Sequence, residues 1–146
     1  LSEGVYGSSS VAALGIAAHE AGHTCQHHLG YGAIKVRNAI LPVANIGSAA
    51  AIPLVLIGII FNFGVLINVG IIFFAAVVVF QLVTLPVEFN ASARAKKVLA
   101  ADGMLSGEEL AGAKKVLNAA AMTYVASLAV SLMQLVRLLI ISRNRD

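Results

Sequence analysis

The stretch NAILPVANIGSAAAIPLVLIGIIFNFGVLINVGIIFFAAVVVFQLVTLPV, residues 38–87, decides the fold. None of its 50 residues is charged, whereas soluble domains carry about 25% charged residues. A helix that crosses a bilayer needs about 20 apolar residues, so the stretch has room for two spans. We predict spans at about 41–61 and 65–85, with Pro42 near the start of the first and a kink at Pro53. Asn62-Phe63-Gly64 is the predicted turn, because Asn and Gly tolerate turn dihedral angles.

The composition of the whole chain agrees with a membrane protein. Hydrophobic residues make up 59% and charged residues only 12% of the 146 positions. A third apolar run at about 119–141 predicts a third span. A buried helical hairpin in a large soluble protein is the alternative, but buried helices are rarely so long and free of charge. We therefore predict an all-α membrane protein, with residues 1–146 forming a single domain.

A helix is predicted before the hairpin, from about Ser10 to Leu29. It contains His19-Glu20-Ala21-Gly22-His23, an H-E-x-x-H motif. Two histidines four residues apart lie on one face of a helix, where both imidazoles can bind one Zn²⁺. Glu20 is the candidate catalytic base, acting on a water whose pKa the metal lowers. The motif is short, and an ordinary helix with two polar histidines is the alternative.

A catalytic zinc needs three protein ligands and an open position for water, so a third ligand must be found. The chain has seven acidic residues, and apart from Glu20 most lie at termini, in a loop or at a helix cap. These are Glu3, Asp102, Glu108, Glu109 and Asp146. Glu88 remains, at the point where the hairpin returns and Pro86 predicts the start of a new helix. We predict that His19, His23 and Glu88 bind Zn²⁺; the alternative for Glu88 is an acid that complements a helix N-terminus.

Three polar residues follow Glu88 on the same predicted helix. Ser92 lies one turn after Glu88, and either Ser92 or Asn90 could orient a ligand imidazole through its second nitrogen. Arg94 could stabilise an oxyanion or pair with Glu88, although an arginine here more often faces lipid phosphate.

The remaining histidines and the single cysteine are not assigned as ligands. The longer pattern H-E-x-x-H-x-x-G-x-x-H fails, because Gln26 occupies the glycine position and Leu29 the third histidine position. The roles of Cys25, His27 and His28 therefore stay open.

The basic residues predict how the chain is oriented in the bilayer. Seven of them flank the motif side of the hairpin, whereas only Arg143 and Arg145 follow the third span and Arg137 lies within it. The seven are Lys35, Arg37, Arg94, Lys96, Lys97, Lys114 and Lys115. Because cytoplasmic loops are enriched in Lys and Arg, the motif is expected to face the cytoplasm. The net charge of +3 is then a topology signal, and nucleic acid is not an expected partner.

Three separated stretches resemble the YugP-like neutral zinc metallopeptidases of bacterial membranes. They are AHEAGHTCQH at Ala18–His27, LVTLPVEFNASARA at Leu82–Ala95 and GAKKVLNAAAMTYVA at Gly112–Ala126. The resemblance implies a zinc-dependent membrane peptidase. Its members usually carry an N-terminal membrane helix and more of the soluble domain, so this chain is expected to lack that part.

A more distant similarity supports the role of Glu88. The segment from Glu88 to Ser92 is similar to the E-x-x-x-D motif of HtpX-like membrane gluzincins. This similarity implies that Glu88 is the third zinc ligand. Ser92 departs from the pattern, which has an aspartate that orients a ligand histidine.

The main functional hypothesis is a membrane-embedded zinc endopeptidase that acts on protein or peptide substrates, which are expected to be membrane-associated. Two alternatives remain: an intramembrane protease of the site-2 type, which would need an aspartate ligand such as Asp102, and a non-catalytic zinc-binding scaffold or chaperone-like factor. The substrate and the oligomeric state do not follow from the sequence.

Overall fold

The computed structural model describes residues 1–145 and confirms an all-α fold. Five helices follow one another along the chain: α1 Glu3–Tyr6, α2 Val11–His28, α3 Gly32–Ile60, α4 Gly64–Ala101 and α5 Gly107–Arg143. No strand occurs within the described residues. Helices α3, α4 and α5 are long and apolar enough to cross a membrane. The predicted spans at 65–85 and 119–141 lie inside α4 and α5, and the span at 41–61 lies inside α3 except for its last residue. Asp146, set aside above as a terminal acid, lies outside the described part.

The chain divides into two compact units, and each long helix contributes to both. Residues 1–35 and 85–125 form what we call the motif unit, which contains the H-E-x-x-H helix. Residues 36–84 and those from 126 onward form the hairpin unit. That all residues form a single domain stays a prediction.

The ends of α2 are fixed by local hydrogen bonds. At the start, the Ser10 hydroxyl accepts a hydrogen bond of 3.1 Å from the Ala13 amide, which satisfies one of the free N–H groups of the first turn. At the end, Gly30 has φ of +68°, and the Tyr31 amide donates to the Gln26 carbonyl at 2.9 Å. This is a Schellman ending with glycine in the left-handed conformation. Both predicted boundaries of the motif helix are therefore confirmed to within a residue.

In the hairpin unit, α3 and α4 pack closely and run antiparallel. A Cβ atom on Gly47 would lie 2.6 Å from the Phe73 carbonyl oxygen, and one on Gly70 would lie 2.8 Å from that of Ala51. The missing side chains thus let the two backbones approach, as small residues do in membrane helix pairs. Asn62, with φ of 53°, closes α3 at the predicted turn. Leu138 of α5 joins the buried apolar cluster of this hairpin.

Two predictions about proline were wrong. Pro42 does not begin a helix, since α3 starts at Gly32, and Pro86 does not begin a new one, since α4 continues through it to Ala101. Proline removes one backbone hydrogen bond from a helix, yet packing on both sides can keep the helix continuous. Directly after Pro86, Val87 and Ala91 are fully buried, and this packing outweighs the local helix-breaking tendency. The kink at Pro53 stays a prediction.

The motif unit is built around a small apolar core. Buried residues from the end of α4, the start of α5 and the connection between them pack together, and Val11, Leu14 and Ala18 of α2 pack against them. The buried members are Ala95, Leu99, Leu105, Ala113 and Leu117. These contacts hold α2 against the part of α4 that follows Pro86.

Helices α2 and α4 approach each other closely at Gly22, inside the H-E-x-x-H motif. A Cβ atom at this position would lie 2.7 Å from the carbonyl oxygen of Ala91 and 3.2 Å from its Cα. Both neighbours are backbone atoms, which cannot move away without shifting α4. Gly22 therefore sets the distance between the histidine helix and the helix that carries Glu88.

We expect Gly22→Ala to destabilise the protein, although an alanine normally favours a helix over glycine. Overpacking of this kind costs about 1–3 kcal/mol, which would appear as a lower melting temperature in detergent. Gly112→Ala is the matched control, because its Cβ would meet only a Val11 methyl at 3.6 Å. An unchanged melting temperature for Gly22→Ala would contradict the assigned spacing.

Candidate metal centre

The two motif histidines lie side by side on α2 and face the same space. Their ring centroids are 4.6 Å apart and the ring planes are nearly perpendicular. Both side chains are largely but not fully buried, with exposed fractions of 17% for His19 and 20% for His23. This placement is what a four-residue spacing on a helix gives.

Glu88 reaches both imidazoles with one carboxylate. Its Oε2 atom lies 2.9 Å from Nε2 of His19, and its Oε1 atom lies 3.5 Å from Nε2 of His23. The glutamate is 4% exposed, so this carboxylate is buried beside the two rings. The structure thus brings together the three residues that the sequence predicted as metal ligands, although 69 positions separate Glu88 from His19.

The donor atoms of this cluster fit a zinc ion. One ligand atom from each of the three residues lies within 4.8 Å of the others. Tetrahedral zinc with ligands at about 2.0–2.1 Å places neighbouring ligand atoms about 3.3 Å apart, and the two measured Nε2–carboxylate distances lie on either side of that value. Two imidazole nitrogens and one carboxylate oxygen are also the donor types zinc prefers in peptidase sites. The set holds three donors, which leaves a fourth coordination position open.

The Nδ1 atom of His19, the ring nitrogen that does not face Glu88, contacts a residue of α4. Ser92 Oγ lies 3.0 Å from His19 Nδ1, and Ser92 itself is 3% exposed. This is the contact expected of a group that orients a ligand imidazole. Whether Ser92 has that role is still a prediction, but its hydroxyl is in the required place.

Asn90 and Arg94 are hydrogen-bonded to each other, and the roles predicted for them stay predictions. The Nε of Arg94 donates to Asn90 Oδ1 at 2.9 Å, and Asn90 Oδ1 also accepts from the side-chain amide of Gln26 at 3.0 Å. Asn90 is therefore linked to His23 through Gln26, and Arg94 is linked to it through Asn90 and Gln26.

Gln26 is the site residue that sequence reasoning missed. It is 0% exposed, and its Oε1 lies 2.9 Å from Nδ1 of His23. The available signal was its position three residues after His23, on the same helix face. The sequence analysis used that position only to reject a longer motif.

The other candidates lie outside this cluster. Glu20 is exposed and follows His19 on α2, and it is not one of the three clustered donors. Cys25, His27 and His28 are also exposed and outside the donor group. Asp102 is exposed at the end of α4. Within residues 1–145, the His19, His23 and Glu88 group is the one that could hold a metal.

Two histidines of the H-E-x-x-H helix α2 and a glutamate of α4 form this cluster, in a chain with three helices that are long and apolar enough to cross a membrane. This is the residue set of a membrane zinc peptidase. Residues 1–143 match the family described as "Putative neutral zinc metallopeptidase", and the chain belongs to that family. It is 49% identical over 144 residues to the protein named "Putative membrane protease YugP" of Bacillus subtilis (strain 168). The match covers 99% of this chain and 64% of that relative. No solved structure matches the chain.

Proposed function

We propose that this chain forms the catalytic part of a membrane-embedded zinc endopeptidase. His19, His23 and Glu88 would hold the metal, and Glu20 would be the general base. The observation that carries the proposal is the single buried carboxylate of Glu88 facing Nε2 of both histidines. The family description, a neutral zinc metallopeptidase, and the name of the relative, a membrane protease, support the proposal.

A bound zinc ion and Glu20 would have separate roles in peptide hydrolysis. A zinc ion in this site would polarise the scissile carbonyl and make a water nucleophilic at neutral pH. Glu20 would accept a proton from that water as its oxygen bonds to the carbonyl carbon. When the C–N bond breaks, the protonated Glu20 would give the proton to the leaving amine. Glu20 suits this exchange because it is exposed, adjacent to His19 and not used as a ligand.

The open coordination position favours an enzyme over a structural zinc protein. Structural sites are closed by four protein ligands and often include cysteine. The candidates for a fourth ligand on α2, Cys25 and His27, are exposed and outside the donor group. A scaffold or chaperone-like role thus has no contact that favours it.

The basic residues support a cytoplasmic position for the site. The first turns of α3, the last turns of α4 and the first turns of α5 carry seven Lys and Arg residues, against Arg143 and Arg145 after the apolar part of α5. Because cytoplasmic segments are enriched in Lys and Arg, we propose that these charged helix ends face the cytoplasm. The substrates we propose are proteins or peptides that reach this membrane face.

Metal removal tests the proposal directly. The protein purified in detergent is expected to contain about one zinc per chain and to cleave an unfolded protein such as casein. Treatment with a chelator should remove both the metal and the cleavage, and added Zn²⁺ should restore both. Cleavage that survives complete removal of zinc would contradict the proposal, as would a failure of the wild type to bind zinc at micromolar concentration.

A further inference from the structure

We propose that Gln26 is a positioning residue that selects the tautomer of His23 and fixes its distance from Glu88. The inference rests on the proposed function, because it assigns a role towards a metal bound by His23. Gln26 touches no substrate and no proposed ligand atom; it acts through the imidazole.

The side-chain amide of Gln26 has three hydrogen-bond partners. Its Oε1 lies 2.9 Å from His23 Nδ1, and its Nε2 donates to the Val87 carbonyl at 2.8 Å and to Asn90 Oδ1 at 3.0 Å. The residue is 0% exposed, so water cannot replace any of these partners. A buried amide with all its donors used has one favourable orientation.

Val87 determines that orientation. A backbone carbonyl only accepts hydrogen bonds, so the amide nitrogen of Gln26 must face it and the amide oxygen must face His23. An amide oxygen also only accepts, and Nδ1 of His23 must therefore carry the hydrogen. In the neutral ring this leaves the lone pair on Nε2, the atom directed at Glu88.

Arg94 imposes the same orientation independently. Its Nε can only donate, which requires Asn90 to present Oδ1 to it. Asn90 Oδ1 is the atom that receives the second N–H of Gln26. Two separate groups, one backbone carbonyl and one guanidinium, thus lead to the same tautomer of His23.

The resulting arrangement suits a cation. With the hydrogen on Nδ1, a neutral His23 directs an electron pair at Glu88 Oε1, 3.5 Å away. Two acceptors facing each other repel unless a proton or a metal ion lies between them. Val87 immediately precedes Glu88, so the bond from Gln26 to its carbonyl also ties His23 to the backbone of the third proposed ligand.

The contact of Ser92 with the other histidine, His19, does not select a tautomer. A hydroxyl can donate or accept, so its contact with His19 Nδ1 is compatible with either tautomer of that ring. Within residues 1–145, selection of a tautomer by a side-chain amide is therefore seen at His23 and not at His19.

Two substitutions separate this role from simple packing. Gln26→Met has a similar size and no hydrogen bonds, and it should weaken zinc binding about 10–100-fold, as loss of a group behind a ligand histidine does. Gln26→Glu keeps an acceptor for His23 but directs an oxygen at the Val87 carbonyl and Asn90 Oδ1. We expect it to lower the stability of the metal-free protein yet bind zinc at least as tightly as the wild type.

The measurements are zinc affinity by chelator competition, the visible spectrum of the Co²⁺-substituted protein, and the melting temperature without metal. Gln134→Met, in the hairpin unit, is the matched control and should leave zinc affinity unchanged. If Gln26→Met fails to fold, Asn90→Ala provides a milder variant that removes one anchor and should weaken zinc binding severalfold.

The outcomes distinguish the two proposals. Weaker zinc binding and an altered Co²⁺ spectrum in Gln26→Met, together with wild-type or tighter zinc binding in Gln26→Glu, would support the positioning role. Equal loss of affinity in both, or wild-type affinity in Gln26→Met and Asn90→Ala, would overturn it while leaving the zinc site intact. A wild type that binds neither zinc nor Co²⁺ would overturn the proposed function and this role with it.

Discussion

Glu20→Gln is expected to abolish peptide cleavage and leave zinc bound. The substitution keeps the shape of the side chain but removes the carboxylate that accepts the proton from water. General bases contribute about 10²–10⁴-fold to catalysis, so the rate of cleavage should fall by at least about 100-fold. Initial rates of casein cleavage, normalised to zinc content, measure the effect.

The prediction of retained zinc follows from the position of Glu20. It is exposed and stands outside the cluster of His19, His23 and Glu88, so its replacement should not change the donor set. Glu109→Gln, at an exposed acid on α5, is the matched control and should retain full cleavage. Wild-type activity in Glu20→Gln would exclude Glu20 as the base, and loss of its zinc would show instead that it supports metal binding.

The fold was predictable mainly where one physical signal dominates. Absence of charge over 38–87 indicated two spans, and the predicted ends of α2 at about Ser10 and Leu29 agree with the observed caps at Ser10 and Gly30. The failure at Pro86 has a different origin. The sequence shows only the local preference of proline for the start of a helix. The continuity of α4 depends on the burial of Val87 and Ala91, which results from packing with other helices.

The candidate site could also be predicted only in part. His19, His23 and Glu88 were chosen from motif spacing and from the elimination of other acids, and the structure clusters them. Gln26 was not found, because its defining contact is with the Val87 carbonyl, 61 positions later. A glutamine three residues after a histidine is common on helices, and only the long-range contact shows which way its amide points.

Glu88→Ala is expected to have the largest effect on metal binding. It leaves His19 and His23 as the only protein donors, and zinc affinity should fall by more than the 10–100-fold typical of a group behind a ligand. Zinc content after dialysis against a metal buffer, measured beside His19→Ala, tests this. Both variants should lose the metal and, with it, peptide cleavage.

Asp102→Ala provides the decisive comparison, because Asp102 is the aspartate that the intramembrane alternative would use. It is exposed after the last turn of α4, whereas Glu88 is buried 2.9 Å from His19. We therefore expect Asp102→Ala to keep its zinc. The reverse pattern, zinc retained in Glu88→Ala and lost in Asp102→Ala, would show that Asp102 and not Glu88 is the third ligand. A third possibility, zinc retained in both, would require a donor outside residues 1–145 or a different metal geometry, and either would remove the basis for a three-ligand peptidase site.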